Sequence, residues 1–348
     1  MLENNTRSEA SDFGKVSLIN HLGDYFTLNN PTSKYGIHND ASVVSFENKL
    51  TVIASQLFVE HIHFDLGYFP LKHLGYKIVS ASLSDILAMN GIPSQIRVNI
   101  AASNRFSVEA LEEFSSGIKY CCEQFNIDLI GLDVTSSATG LTISTTSIGS
   151  VKETQLVRRD GAKEHEIICV SGDLGSAYTG YLLLEREKQV FAVNPNQQPD
   201  LSGYEYILEK QLKPEPRIDI IQDLAKEGVI PTSMINVKEG LADGLLHICN
   251  ASHVGCTIYE EKLPIDHVTF ETLKELKIVA TTIALNGGED YELLFTIKQD
   301  DYEKIKHLEN VSVIGYITDD SAGKNLITND NCQIELQAQG FQSKIRND

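Results

Sequence analysis

Apolar alternation and helix-like periodicity take turns along most of the chain, the pattern of an α/β (α+β) protein. Leu50 to Ala54 reads as a strand. Leu71, Leu74, Ile78, Ile86 and Leu87 then recur at helical spacing, starting just after Pro70, a residue suited to a first helical turn. Ile96, Val98 and Ile100 alternate as a strand. Ser107 is placed to cap the next helix, with Glu109 near the positive end of its dipole. Two further strands are predicted at Asp128 to Gly131 and Leu141 to Gly149.

A second unit begins near Val151. Ile167 to Val170 is a short apolar run, and Ser171-Gly172-Asp173-Leu174-Gly175 is a turn leading into a helix. Val193 to Gly203, with two prolines among Asn and Gln residues, reads as a surface loop. More strands are predicted near Met234 to Val237, Cys256 to Tyr259, Tyr291 to Thr296 and Val311 to Ile317. The division is an N-terminal domain over residues 13–150 and a C-terminal α/β domain over 151–345. The 348 residues suffice for two cores of that size.

Composition removes several classes of function. Hydrophobic residues make up 42% and charged residues 22%, and no segment is apolar for long enough to span a bilayer. The first residues, Met1 to Lys15, contain no apolar signal core, so a cytoplasmic protein is expected. A net charge of -19 with no basic cluster opposes binding to nucleic acid or to anionic membranes. The six cysteines, at 121, 122, 169, 249, 256 and 332, form no CxxC pair, and buried or partly buried free thiols are expected.

Candidate chemistry lies in acidic residues where strands or helices end. Asp40 follows Gly36-Ile37-His38-Asn39, Asp85 sits late in a helix, and Asp133 falls just beyond an apolar strand. Glu289 and Asp290 follow two glycines. Carboxylates at such ends can converge on magnesium, which prefers oxygen ligands; singly, each is equally a capping or solvated residue. No Walker motif and no kinase-type Gly-rich loop is present.

In combination these blocks carry a resemblance. Gly36 to Asp40, Val59 to Phe64, Ser82 to Asn90, Asp128 to Ser136, Arg159 to Lys163, Lys213 to Arg217 and Asn286 to Leu293 resemble, in order, the signature blocks of thiamine-monophosphate kinases. The likeness runs from about Phe13 to Phe341. It implies a two-domain fold like that of the aminoimidazole ribonucleotide synthetase superfamily, with N-terminal sheets pairing across a homodimer. It also implies transfer of the γ-phosphate of ATP to thiamine monophosphate, assisted by several Mg2+ ions. The reaction brings two polyanions together, so the protein's task is positioning and electrostatics.

The resemblance assigns roles by position, and some positions depart from it. Metal-binding places fall at Asp40, Asp85, Asp133, Glu239, Gln56 and Asn236, of which the last two are amides where the family has Asp. The family's Asp-x-Ser-Asp-Gly-Leu reads Asn236-Val237-Lys238-Glu239-Gly240-Leu241, and Gly-Gly-Asp reads Gly131-Leu132-Asp133. ATP contacts fall at Leu132, Asp133, Arg159 and Lys238; thiamine-phosphate contacts at His63, Glu289 and Phe341. Two missing carboxylates weaken a multi-ion site. Either Lys238 takes the place of a lost ion, or these positions have drifted. The expected function is a thiamine-phosphate kinase; the alternatives are an impaired paralogue that binds nucleotide, thiamine phosphate or an active subunit, and another ATP-dependent synthetase. His61 and His63, two apart, are expected on one strand face, without a third ligand for a metal.

Overall fold

Strict alternation along the N-terminal half becomes a sheet with one packed face. The computed structural model describes residues 33–35, 40–46, 49–103, 105–196 and 198–341. Strands β1 (Ser33–Tyr35), β2 (Ser42–Phe46), β3 (Lys49–Val59), β4 (Ile92–Ala102), β5 (Asp128–Ser136) and β6 (Leu141–Val151) form one sheet, with helix α1 (Leu71–Leu87) between β3 and β4 and α2 (Val108–Phe125) between β4 and β5. Its order is β1-β2-β3-β6-β4-β5, antiparallel except for the β4–β5 pair. β6 buries every second residue, as period-two patterning requires.

Helix α1 is buried from Leu74 through Leu87, covered on nearly all sides because it lies between the sheet, α2 and the C-terminal half. Two glycines let α1 and α2 touch: a Cβ on Gly75 would sit 2.0 Å from the Phe114 carbonyl, and one on Gly117 1.9 Å from that of Lys72. The three serines of α1 return their hydroxyls to helix carbonyls, Ser82 to Ile78 at 2.6 Å for one, so polar residues here cost little. Ser107 caps α2 by accepting from the Ala110 N–H at 3.3 Å, as its position in the sequence predicts.

A second, seven-stranded sheet forms from β7 (Ile167–Ser171), β8 (Ser233–Val237), β9 (Gly255–Tyr259), β10 (Glu292–Ile297), β11 (Val311–Thr318), β12 (Lys324–Ile327) and β13 (Gln333–Glu335). Its order is β13-β12-β9-β11-β7-β10-β8, with β9 and β12 parallel and the remaining neighbours antiparallel. Helices α3 (Ser176–Val193), α4 (Glu205–Leu212), α5 (Ile218–Lys226), α6 (Leu241–Ser252), α7 (His267–Glu275), α8 (Ala280–Asn286) and α9 (Tyr302–Ile305) accompany it. The end of α1 joins the two halves: Leu87 and Ala88 share a core cluster with Met234, Leu293 and Phe295.

Several expectations change in detail. β3 runs on to Val59 and β5 to Ser136, so Gln56 and Asp133 lie inside strands rather than beyond them. His61 and His63 do not share a strand face, because β3 has ended and the chain turns with His61 at φ 67°. Five cysteines are buried free thiols, but Cys332 is exposed, contrary to the expectation. None of the helices among the described residues is long and apolar enough to cross a membrane.

Candidate active site

The substituted acidic cluster assembles around Asp85. α1 brings Asp85 to the middle of the molecule; β3 supplies Gln56, and the end of β8 supplies Asn236. Gln56 donates from Nε2 to Asp85 Oδ2 at 2.7 Å, and Asn236 donates from Nδ2 to Asp85 Oδ1 at 2.9 Å. A carboxylate only accepts, so each amide must turn its NH2 inward and its oxygen away. Gln56 Oε1 and Asn236 Oδ1 are buried and have no hydrogen-bond partner among the described residues. Burial raises the Asp85 carboxyl above its ordinary range; the nearby Lys238 charge and the two amide bonds oppose that, while Asp40 adds to it.

Asp40 is held by Arg159, whose Nε donates to Oδ2 at 3.0 Å while Nη2 donates to Oδ1, a bidentate fork. Burial, the largest influence, would depress the guanidinium, but the charge and hydrogen bonds of Asp40 together with the charges of Asp85 and Asp243 outweigh it and keep Arg159 above its usual value. The Arg159 carbonyl accepts from Ser233 Oγ at 2.8 Å and from Ser252 Oγ at 3.0 Å, fixing this short turn against the second sheet. Gly36 to Asn39 lie outside the described residues.

Two loops of the second sheet cover the same face of α1. One, Lys238 to Gly240, follows β8; the other, Gly287 to Tyr291, precedes β10. They are tied by a bond from the Glu289 N–H to the Lys238 carbonyl at 2.7 Å. The contact is close enough that a Cβ on Gly288, itself at φ 78°, would fall 2.6 Å from that carbonyl. Lys238 is half-buried and Glu239 exposed. Asp290 is sealed beneath, accepting from the Gly175 N–H at 3.1 Å, and burial pushes its carboxyl far up.

Glu289 has a partner that sequence reasoning missed. Lys77 of α1, 2% exposed, donates from Nζ to Glu289 Oε2 at 2.9 Å and to the Gln211 carbonyl at 2.8 Å. Its signal in the sequence is a lysine between apolar neighbours, Tyr76 and Ile78, eight residues before Asp85 and so near the same face. A second missed group lies beside it: Glu292, buried, accepts from Ser171 Oγ at 2.6 Å and pairs with Arg217 at 2.6 Å and Lys210 at 3.3 Å.

The other sequence-derived candidates lie apart from Asp85. Across the first sheet, Gln56 pairs in register with Thr145, Thr145 with Val98, and Val98 with Leu132. Leu132 is therefore three strands away, about 14 Å, on the edge strand. Asp133, its neighbour, projects to the opposite, exposed face. His63 accepts at Nδ1 from the Val59 N–H at 3.1 Å and meets the Phe58 ring edge-on. Phe341 packs against the C-terminal core, edge-on to His247 at 4.9 Å between centroids.

The residues at Asp85 do not fit a magnesium ion. Magnesium requires oxygen ligands at near-octahedral angles, with carboxylate charge among them. Here both Asp85 oxygens face N–H groups, the neighbouring oxygens belong to neutral amides, and Asp40 is engaged by a guanidinium. Among the described residues, no group of three or more His, Cys, Asp or Glu side chains is placed to hold a metal.

Comparison with known proteins agrees with this architecture. Residues 38–151 match the family described as AIR synthase related protein, N-terminal domain. The chain is 29% identical over 324 residues to the thiamine-monophosphate kinase of Bacillus subtilis, covering 90% of this chain and 95% of that one. It is 32% identical over 312 residues to that of Buchnera aphidicola from Acyrthosiphon pisum, covering 88% and 91%. A solved structure, AaThiL complexed with AMPPCP and TMP, superposes with a TM-score of 0.81 at 24% identity, over 95% of this chain and 98% of that one.

Proposed function

The chain belongs to the thiamine-monophosphate kinase family, and we propose that it transfers the γ-phosphate of ATP to thiamine monophosphate, giving thiamine diphosphate and ADP. The carrying observation is the single face of α1 that presents Lys77, paired with Glu289, and Asp85, eight residues on. At 1.5 Å per residue the two are about 12 Å apart along the helix. That spacing suits a substrate with a cationic heterocycle at one end and a phosphate at the other. Glu289, its second oxygen not taken by Lys77, is the proposed acceptor of the heterocycle's charge, with His63 and Phe341 as further substrate contacts.

The phosphate end has two cations, Arg159 and Lys238. An entering phosphate competes with Asp40 for the Arg159 fork, and the exchange replaces one anion by another on a guanidinium already buried and aimed. Phosphoryl transfer needs mainly such positioning and charge neutralisation. Magnesium belongs to this reading as the companion of the ATP phosphates, with Asp40 and Glu239 the proposed carboxylates for it; Asp133, expected as a third, faces away on the edge strand and joins them in this proposal only as a residue contributed across the homodimer. Val151 is the proposed domain boundary.

A homodimer is part of the same proposal. β5 is an edge strand whose Leu129, Ile130, Leu132 and Val134 are 40–57% exposed, and β3 adds Leu57 at 56%. An open apolar edge of this kind invites association. Ile130→Lys should shift the protein from dimer to monomer in light scattering; an unchanged mass would place the contact elsewhere.

A second reading, a family scaffold that no longer catalyses, is favoured by one feature: the amide bonds that occupy both oxygens of Asp85. The deciding experiment measures conversion of thiamine monophosphate by purified protein with ATP and excess magnesium. It is run beside a variant carrying Gln56→Asp, Asn236→Asp, Lys238→Ser and Glu239→Asp. Turnover by the natural sequence supports the kinase; activity confined to the variant supports the second reading.

A further inference from the structure

We infer that the Asp85 centre carries its own cation: Gln56, Asn236 and Lys238 together do the work of a metal ion, and the chain holds fewer ions than an all-carboxylate site would. The proposal deepens the phosphotransferase reading, but its metal count stands independently of turnover.

The chemistry follows from the donor set. Asp85 is buried, and a buried carboxylate needs compensation by hydrogen bonds or opposite charge. It receives both: an amide N–H on each oxygen, at 2.7 and 2.9 Å, and the field of Lys238, the largest influence opposing the effect of its burial. A divalent ion would have to displace both N–H donors and turn both amides round. It would then sit among one charged and two neutral side chains, with an excess positive charge beside buried groups. A lysine ammonium instead brings one charge for the one carboxylate that the amides enclose, the neighbouring Asp40 being matched by Arg159.

Two amide oxygens are left open to a donor, and in this conformation the Lys238 ammonium bonds to neither. Gln56 is 6% and Asn236 4% exposed, yet Gln56 Oε1 and Asn236 Oδ1 have no hydrogen-bond partner among the described residues. An ammonium has three N–H donors, enough to serve either of these oxygens and a phosphate. The Lys238 backbone is fixed for this by its bonds to the Asn236 carbonyl at 3.0 Å and from the Glu289 N–H at 2.7 Å. No hydrogen bond or ion pair to its ammonium occurs among the described residues. The ligand class it fits is an anion, which the phosphotransferase reading makes a polyphosphate met directly by the side chain.

Two measurements without the second substrate test this. In thermal unfolding, Mg2+ or Mn2+ alone should leave the melting temperature of the natural protein unchanged. Gln56→Asp/Asn236→Asp should lower it by several degrees without metal and regain the loss in millimolar Mn2+, because three buried carboxylates repel until a cation joins them. In Mn2+ electron paramagnetic resonance with a non-hydrolysable ATP analogue, that variant should hold one more ion per chain than the natural protein. Lys238→Met should weaken the analogue about tenfold without changing the count. Equal counts in the natural protein and the double variant would overturn the proposal. If the double variant does not fold, Asp85→Asn decides: loss of a bound ion on that change would show that a metal, not Lys238, serves Asp85. These outcomes are read from binding and stability, so an inactive kinase would not obscure them.

Discussion

Replacing Lys77 with methionine tests the buried link between α1 and the Glu289 loop. Methionine fills nearly the same volume against Phe69, whose ring centroid lies 5.4 Å from the ammonium, so packing changes little. What is lost is a charge-assisted bond to Glu289 and another to the Gln211 carbonyl, at 2.9 and 2.8 Å. Each is worth about 1.5–3 kcal/mol net. Against this stands the cost of burying the ammonium, which the variant no longer bears. Glu289, 28% exposed, can turn to water, whereas the Gln211 carbonyl is left without its donor. The balance is a loss of about 2 kcal/mol, readable as a lower midpoint in urea unfolding with an unchanged slope. Glu289 also loses its fixed orientation, so the KM for thiamine monophosphate should rise about tenfold while that for ATP stays within twofold. A double-mutant cycle with Glu289→Gln should give a coupling of about 1 kcal/mol or more. Zero coupling, or an unchanged KM in Lys77→Met, would refute the reasoning.

Two further changes probe the frame around the site. Asp290 is pushed far above its ordinary value of 3.8 by burial, so the folded chain keeps a proton that the unfolded chain releases. Its contribution is fully present below the unfolded value and is lost as pH rises toward the folded one, by about 1.4 kcal/mol per pH unit; Asp290→Asn should flatten that decline between pH 4 and neutrality, and an identical pH profile in urea unfolding would contradict the burial argument. Gly75→Ala would place a Cβ 2.0 Å from the Phe114 carbonyl, a backbone atom that cannot step aside. The helices must part, at a cost of about 3 kcal/mol or more, and a loss below about 1 kcal/mol would mean that the α1–α2 contact is softer than its geometry implies.

The order and type of most elements were legible because they rest on local spacing. The period of Leu71, Leu74 and Ile78 marks α1, the alternation of Ile96, Val98 and Ile100 marks β4, and Ser107 caps α2 where its side chain can reach the Ala110 N–H. Strand ends were less legible: β3 and β5 continue past their apolar cores because neighbouring strands supply the ladder bonds, which placed Gln56 and Asp133 inside strands. The residue changes at Gln56, Asn236 and Lys238 were visible in the chain, but their consequence was not. Asp85 meets amides 29 and 151 positions away, and Lys77 meets Glu289 across 212. Periodicity reports only whether a face is buried; which polar groups satisfy one another inside it depends on where remote segments pack. For this protein the sequence determined the elements and the chemical identity of the site's donors. Only the tertiary structure decided that two amides close on one carboxylate and that a buried lysine of α1 meets the glutamate of a remote loop.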